Sequence, residues 1–221
     1  MKLFIDSADA AQWALAPGAP MVAGVTTNPS LVYQAGVAVS LAGYQALLAS
    51  AQVAGMAELM VQVPNDNVQD NKALASTLAQ QAQHAGVQLT IKLPCDPAWQ
   101  SCVQAVQALG LDVLLTGLSN PMQLMWAQQM GVQWVAPYVG RLEAAGRDVW
   151  ALMQACVQVQ QAGGPALLAA SVKSGDTLAK LMGLGAGAVT LKPAFINELC
   201  TDLVTQQAVA QFQQDTAASL S

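Results

Sequence analysis

Charged side chains are scarce in this sequence. Its 221 residues include 8 Lys and Arg, 13 Asp and Glu and a single His, so charged residues make up 10% of the chain. No basic cluster is present, and the net charge of -5 argues against binding to nucleic acid or to an anionic membrane surface. Much of the surface must therefore be uncharged, and we expect part of it to be buried in a homo-oligomer.

Patterns of metal binding and of protein targeting are also missing. The four cysteines, Cys95, Cys102, Cys156 and Cys200, lack the paired spacing of a zinc site. We expect no bound metal, and reduced thiols in a cytoplasmic protein. Asp6 lies where a signal peptide would be apolar, and Gly, Pro and Gln residues interrupt the longest uncharged stretches. Neither a signal peptide nor a membrane span is predicted.

Apolar residues are abundant, at 54% of the chain, which predicts one domain over residues 1–221 with a large core. Eight short apolar runs alternate with helical segments. The predicted strands are Leu3–Asp6, Met21–Thr26, Glu58–Val63, Val87–Pro94, Asp112–Thr116, Val132–Tyr138, Ala166–Ser171 and Ala186–Lys192. This alternation predicts an α/β fold with a parallel sheet, and eight units predict a (β/α)₈ TIM barrel. A doubly wound open sheet is the alternative, although the turn after the first strand lacks its glycines.

Helical segments are predicted between and after these strands. They run from Ser7 to about Leu15, Leu41 to Val53, Val68 to His84, about Pro97 to Leu109, Ser119 onward, about Asp148 to Gln161, Thr177 to Met182, Phe195 to Leu203 and Gln206 to Thr216. The last segment has no obvious place in a closed barrel, although it carries the apolar residues Val209 and Phe212. We therefore predict that the C-terminal extension, residues 206–221, packs on a neighbouring subunit.

Lys92 is the most informative polar residue, because the strand around it is otherwise apolar. Burial disfavours a charged ammonium group and lowers its pKa, which leaves a neutral amine that can attack a carbonyl. Lys92 is therefore a candidate Schiff-base nucleophile. The alternative is a lysine at a strand end that reaches solvent along its stem.

Polar residues recur at the predicted C-terminal ends of the strands, where barrel enzymes assemble their active sites. They are Asp6, Thr26, Asn28, Gln62, Lys92, Thr116, Tyr138, Ser171, Lys173 and Lys192. Arg141 also follows a strand, so half of the eight basic residues lie at this end, which predicts an anionic substrate. Several have a structural explanation as well: Asp6 as a helix cap, Asn28 as a turn residue and Tyr138 as a rim aromatic.

Five motifs then occur in a recognisable order: FIDS at 4–7, GVTTNPS at 24–30, TIKLP at 90–94, APYVGR at 136–141 and AASVK at 169–173. The set resembles the transaldolase family, particularly its small members, the fructose-6-phosphate aldolases. The resemblance implies a (β/α)₈ barrel with a class I mechanism that uses no cofactor. It also implies ring-forming homo-oligomers, pentamers or decamers.

The resemblance assigns roles to individual residues. It implies that Lys92 is the Schiff-base lysine, that Asp6 orients the substrate and moves protons, and that Asn28, together with Thr26, binds the ketose. The phosphate-binding positions are matched by Arg141, Ser171 and Lys173.

Two positions separate the branches of the family. Gln62 and Tyr138 occupy them as in the aldolase branch, whereas transaldolases proper have glutamate and phenylalanine there. A water held by Gln62 and Thr116 would let Tyr138 protonate the enamine, which favours aldolase action. Gly140 is more similar to transaldolases proper, and Lys192 matches neither branch.

The sequence thus predicts a lyase of carbohydrate metabolism that cleaves fructose 6-phosphate to dihydroxyacetone and glyceraldehyde 3-phosphate, and runs the reverse addition. One alternative is a transaldolase, linked to the pentose phosphate pathway, that moves a dihydroxyacetone unit between sugar phosphates or related anionic sugars such as sulfosugars. The other is a barrel that binds a sugar phosphate without catalysis.

Overall fold

The computed structural model describes residues 1–200 and 202–220. Within them, eight parallel strands pair in sequence order and close into a barrel, with the first strand beside the eighth. The strands are β1 Lys2–Asp6, β2 Gly24–Thr26, β3 Glu58–Gln62, β4 Gln88–Pro94, β5 Asp112–Leu118, β6 Trp134–Pro137, β7 Ala166–Ala169 and β8 Ala188–Leu191. The predicted (β/α)₈ barrel is confirmed, and the open-sheet alternative is wrong because the ring of strand pairs leaves no sheet edge.

Helices surround the barrel, and the apolar sides of all the described helices but the last pack against its outer face. They are α1 Pro29–Gln34, α2 Leu41–Val53, α3 Val68–Ala85, α4 Gln100–Gln107, α5 Pro121–Gln129, α6 Val139–Ala144, α7 Val149–Gln161, α8 Gly175–Leu184, α9 Pro193–Cys200 and α10 Leu203–Ser219. Short 3₁₀ turns at Ala10–Gln12 and Pro97–Trp99 complete the set for the described residues. The predicted helix from Pro97 to Leu109 therefore starts as a 3₁₀ turn and continues as α4.

The predicted helix from Ser7 to Leu15 is wrong. Only the 3₁₀ turn Ala10–Gln12 forms there, and the side chain of Asp9 caps it by accepting from the backbone N–H of Ala11. The buried Trp13 donates from its indole Nε1 to the carbonyl oxygen of Ser7 at 3.0 Å, which holds this segment as a compact loop. Pro17 also disfavours a helical conformation at the residue before it.

Helix α6 is absent from the sequence-based prediction, which ends the sixth strand at Tyr138. In the structure β6 ends at Pro137, and the carbonyl oxygen of Tyr138 accepts from the backbone N–H groups of Arg141 and Leu142. The chain turns into a helix of six residues directly above the end of the strand. This turn brings Arg141 back over the barrel.

The barrel interior is divided into two ends by one apolar layer. Its side chains come from six strands: Phe4, Met60, Leu114, Ala136, Leu168 and Ala188. At the N-terminal end lies the buried carboxyl group of Glu58, which accepts a hydrogen bond from the Thr90 hydroxyl at 2.8 Å. Lys2 lies 3.9 Å from this carboxyl group and 5.6 Å from the centre of the Trp134 ring. The layer separates this group from the opposite, C-terminal end.

Helix α10 lies outside this architecture, since none of its described residues is buried. Its side chains Leu203, Val204, Val209 and Phe212 are exposed. Packing of residues 206–221 on a neighbouring subunit stays a prediction, and Thr201 and Ser221, which fall within the predicted segments 195–203 and 206–221, lie outside the described residues. None of the described helices combines the length and apolar character that crossing a bilayer requires.

Candidate active site

A cavity of about 570 Å³ lies at the C-terminal ends of the strands. Its base is apolar and consists of Leu114, Ala136 and Leu168, from the layer that divides the barrel. Most of the predicted site residues line its wall: Asp6, Thr26, Asn28, Lys92, Thr116, Tyr138, Arg141, Ser171 and Lys173. With Lys192, which follows β8 and also lines the cavity, residues from seven strands or their following loops meet in one polar chamber, as parallel closure of the barrel requires.

Lys92 lies deep in this cavity and does not reach solvent along its stem, because only 5% of the residue is exposed. Its Nζ donates a hydrogen bond to the backbone carbonyl oxygen of Thr27. Burial lowers the pKa of the Lys92 amine to about 8, although the negative charge of Asp6 acts in the opposite direction. About a tenth of this amine is then neutral at pH 7, far more than for an exposed lysine.

The run Thr26 to Ser30 forms the wall beside Lys92. Both the N–H and the hydroxyl group of Thr27 donate to the carbonyl oxygen of Met60, at 2.9 and 3.0 Å, which fixes the carbonyl that accepts from Lys92. The Asn28 side chain accepts from the backbone N–H of Leu31 and so caps α1. The Asn28 amide nitrogen remains to donate to a ligand, so the same residue can shape the turn and bind a hydroxyl group.

Asp6 belongs to a chain of hydrogen bonds along three neighbouring strands. The Thr26 hydroxyl donates to Asp6 Oδ1 at 3.0 Å, and the Thr190 hydroxyl lies 2.6 Å from that of Thr26. Because Thr26 donates to Asp6, Thr190 must donate to Thr26. The helix-cap explanation of Asp6 is wrong, since Asp9 caps the following turn.

On the other side of the cavity, Tyr138 and Thr116 form a second polar pair. Their hydroxyl oxygens lie 2.6 Å apart. The Arg141 guanidinium group lies 4.6 Å from the centre of the Tyr138 ring, close enough for a cation–π contact. The phenol is thus held by a hydrogen bond at its tip and by a cation over its face.

Gly140 allows the loops after β6 and β7 to come together. A Cβ atom there would lie 2.6 Å from the Ser171 carbonyl oxygen and 3.0 Å from Lys173 Cε. Because Gly140 has no Cβ atom, the stem of Lys173 can approach the backbone here, next to Arg141, which follows Gly140 in the sequence. Ser171 has a φ of 59°, a left-handed conformation that costs a residue with a Cβ about 1–3 kcal/mol and recurs at functional sites.

Gln62 is the predicted site residue that does not line the cavity. It is half-buried at the end of β3 and pairs with Lys92 of β4. The Tyr44 hydroxyl donates to the backbone carbonyl oxygen of Gln62 at 2.5 Å. Conversely, the cavity includes Thr190, which the sequence reasoning missed. Alternation along strand eight provides the signal, because Thr190 precedes Lys192 by two residues and so shares its side of the strand.

The cavity has a charge of opposite sign to the chain. Among the described residues that line it, four are basic, Lys92, Arg141, Lys173 and Lys192, and Asp6 alone is acidic. The whole sequence has a net charge of -5. This contrast favours an anionic ligand. No group of three His, Cys, Asp or Glu among the described residues could hold a metal ion, and the expected absence of metals and cofactors stays a prediction.

Comparison with known proteins decides the family. The family model described as Transaldolase/Fructose-6-phosphate aldolase matches residues 3–221. The chain belongs to the transaldolase/fructose-6-phosphate aldolase family. The resemblance seen in its motifs is thereby confirmed, and the chain is assigned to the aldolase and transaldolase class of enzymes.

Curated relatives extend over almost the whole chain. A probable transaldolase of an Exiguobacterium species is 27% identical over 217 residues, which are 97% of this chain and 97% of the relative. Probable transaldolases of Cereibacter sphaeroides, at 27% over 220 residues, and of Anaeromyxobacter dehalogenans, at 28% over 221 residues, cover 98% and 97% of this chain and 96% of their own lengths.

Solved structures show the fold alone. A flavocytochrome b2 double mutant with pyruvate bound has a TM-score of 0.59 at 13% identity, over 89% of this chain and 57% of its own. A mandelate oxidase with (S)-2-phenylpropionate has a TM-score of 0.53 at 19% identity, over 87% of this chain and 60% of its own. The chain thus spans somewhat more than half of the length of these barrel proteins.

Proposed function

We propose that the protein is a class I aldolase that cleaves fructose 6-phosphate to dihydroxyacetone and glyceraldehyde 3-phosphate, and catalyses the reverse addition. One observation carries the choice of aldolase over transaldolase. The Tyr138 hydroxyl lies 2.6 Å from the Thr116 hydroxyl in the same cavity as Lys92, so a proton donor is available to the bound intermediate.

The first steps use the neutral amine of Lys92. It adds to the ketose carbonyl carbon, and loss of water gives an iminium ion. The nitrogen of the iminium then accepts the electron pair of the adjacent carbon–carbon bond as that bond breaks. Asp6, held by Thr26, takes the proton from the hydroxyl group that becomes the aldehyde. Glyceraldehyde 3-phosphate leaves, and a three-carbon enamine remains on the lysine.

The fate of the enamine decides between lyase and transferase. In the proposed aldolase, Tyr138 delivers a proton to the enamine carbon, directly or through a water, and hydrolysis then frees dihydroxyacetone. Without a proton donor the enamine persists until an acceptor aldehyde arrives. The phosphate group of the sugar is bound by Arg141, Lys173 and Ser171, which the close approach at Gly140 brings together.

A transaldolase is the second candidate, and two observations favour it. The curated relatives are named probable transaldolases, and Gln62, which we expected to hold a water beside Tyr138, does not line the cavity. Such an enzyme would pass the dihydroxyacetone unit to an aldose phosphate and would release little of it free.

The variant Tyr138→Phe separates these two functions. It keeps the ring and its packing but removes the proton carrier, so release of free dihydroxyacetone should fall by about 10²–10⁴-fold. Exchange of the three-carbon unit should persist when erythrose 4-phosphate is supplied, more so when Gln62→Glu is added. Both products are measured for wild type and variants. Unchanged release of dihydroxyacetone by Tyr138→Phe would reduce the tyrosine to a packing residue and remove the support for the aldolase.

We further propose that the protein is a cytoplasmic homo-oligomer, a pentamer or decamer by resemblance, in which α10 packs on a neighbouring subunit. The exposed apolar side chains of α10 support this, because a helix with such residues in water gains stability from a partner. Truncation after Thr205 should lower the mass measured by light scattering to that of a smaller assembly or a monomer. A truncated protein of native subunit number would contradict the assignment.

A further inference from the structure

Lys192 is a basic residue of the cavity that the proposed mechanism does not use. It follows β8 directly, lines the cavity and has an exposed side chain. Among residues 1–200 and 202–220, no carboxylate forms an ion pair with it. Because β8 lies beside β7, Lys192 continues the arc of basic residues that Arg141 and Lys173 begin. It faces β4, the strand of Lys92, across the barrel.

The local structure does not favour lysine at this position. Helix α9 begins at Pro193, and the Lys192 carbonyl oxygen accepts from the N–H groups of Phe195 and Ile196, so Lys192 occupies the N-cap position. Lysine cannot accept a hydrogen bond from the first turn, and its positive charge is unfavourable at the positive end of the helix dipole. In the described chain, most other α-helices begin with an Asn, Ser or Asp side chain that accepts such a bond: α1, α2, α3, α5, α7, α8 and α10. The cavity, rather than the helix, accounts for the lysine.

The charges of the cavity leave Lys192 without a counter-charge when a sugar monophosphate is bound. The iminium ion on Lys92 is balanced by the carboxylate of Asp6, whose charge already acts on the free amine. A phosphate monoester carries a charge of about -1.5 to -2 at neutral pH, which Arg141 and Lys173 together balance. The remaining cation lies on the wall of the same cavity.

We propose that Lys192 determines specificity by binding a second anionic group on the sugar, so that the cavity prefers sugars with two anionic groups over sugar monophosphates. A second phosphate and a carboxylate both provide the required oxygens. The inference rests on the proposed function, because it assumes that Arg141 and Lys173 bind the first phosphate. Fructose 6-phosphate, which has one anionic group, would then leave the Lys192 position unfilled.

The test uses two inert ligands that differ by one phosphate group: glucitol 6-phosphate and glucitol 1,6-bisphosphate. Neither has a carbonyl group, so binding does not depend on Schiff-base chemistry. Affinities are measured by calorimetry at low salt for wild type, Lys192→Gln, Lys192→Arg and Lys72→Gln. Lys72 is an exposed lysine of α3 outside the cavity and serves as the matched control.

Wild type and Lys72→Gln should bind the bisphosphate about tenfold more tightly, of which about twofold arises because either phosphate can occupy the Arg141 and Lys173 site. Lys192→Gln should reduce the preference to about twofold while its affinity for the monophosphate stays within about twofold of wild type. Lys192→Arg should restore the preference, and added salt should weaken it.

Four results would overturn the inference. Equal affinities of wild type for both ligands would contradict a second anion-binding site. A preference for the bisphosphate that persists in Lys192→Gln would show that Lys192 does not form that site. An equal loss of affinity for both ligands in Lys192→Gln would assign Lys192 to the first phosphate instead. Failure of wild type to bind glucitol 6-phosphate at all would, in addition, contradict the proposed sugar-phosphate function itself.

Discussion

The two ends of the barrel interior each hold a buried ionisable group, Lys92 at the C-terminal end and Glu58 at the N-terminal end. Burial is the largest influence on both, and it lowers the pKa of the amine and raises the pKa of the carboxyl group. In both cases the shift is towards the neutral form. Burial and a shifted pKa therefore do not by themselves distinguish a reactive group from a structural one.

The two groups differ in whether a ligand can reach them and in whether their lone pairs are already engaged in hydrogen bonds. Lys92 lines a cavity of about 570 Å³ and makes a hydrogen bond that leaves the lone pair of its neutral amine free. Glu58 accepts from Thr90 and has Lys2 beside it, while the backbone of Gly24 lies so close that a Cβ there would be 2.0 Å from the Glu58 carbonyl oxygen. The N-terminal end is thus packed shut. The comparison teaches that a shifted pKa indicates chemistry only where a substrate can reach the group.

The largest expected effect is that of Lys92→Met, which fills a similar volume without an amine. Turnover should fall by roughly 10⁴-fold or more, because no Schiff base can form. Stability should rise at pH 7 by about 3 kcal/mol, because the folded chain no longer holds an amine with a pKa near 8 instead of 10.5. Both are measured, by steady-state assay and by urea unfolding.

The pH dependence of stability and a control variant sharpen this prediction. The pKa of Lys92 is about 8 in the folded chain and about 10.5 in the unfolded chain, so between these pH values the unfolded chain binds more protons. The stability of wild type therefore rises over this range, and the stability difference between wild type and Lys92→Met should shrink. The exposed Lys72 provides the control, since Lys72→Met should change neither turnover nor stability. If Lys92→Met kept more than a trace of turnover while its circular dichroism spectrum matched that of wild type, the assignment of Lys92 as the nucleophile would be wrong.

A smaller effect concerns the pH profile of the active end. If the free amine of Lys92 is the reactive form, kcat/KM should rise about tenfold per pH unit below pH 8 and level off above it. Since the charge of Asp6 raises the pKa of Lys92, Asp6→Asn should move the plateau to lower pH even as it lowers its height. A profile of unchanged midpoint in Asp6→Asn would show that this charge does not act on the amine.

The smallest effect is expected at the closed end. Glu58→Gln keeps an acceptor for Thr90 and removes a charge that burial disfavours, so it should stabilise the protein at pH 7. Because the folded pKa of Glu58 is raised, wild type loses stability as the pH rises through it, and the gain should shrink under acid conditions. Turnover should stay within about twofold of wild type. Glu143→Gln, at an exposed position, is the control. If Glu58→Gln altered the pH profile of kcat/KM, the N-terminal end would not be separate from the active site.

The sequence predicts the C-terminal end of the barrel well because its chemistry depends on side chains. Lys92 is conspicuous in an apolar strand, and the strand-end rule places Asp6, Thr116 and Tyr138 on the same side as it. Strand order follows from the alternation of apolar runs with helices. These signals are local patterns that parallel closure of the barrel brings together.

Other features carry no such signal. The acceptor for Lys92 is the backbone carbonyl of Thr27, which any residue would possess, and the buried Glu58 resembles an ordinary polar residue at the start of a strand. The failed helix after β1 depends on the burial of Trp13 in the core, which overrides the helical propensity of the alanines around it. Such features depend on the whole fold rather than on neighbours in the sequence.

The most direct test of the account is to trap the intermediate on its lysine. The protein is incubated with fructose 6-phosphate and borohydride at pH 8, and the modified residue is identified by peptide mass spectrometry. Lys173 and Lys192 line the same cavity but are exposed, so they are internal controls for non-specific reduction. The account predicts a three-carbon adduct on Lys92 alone, absent from Lys92→Met. No adduct, or one on Lys173 or Lys192 instead, would contradict it.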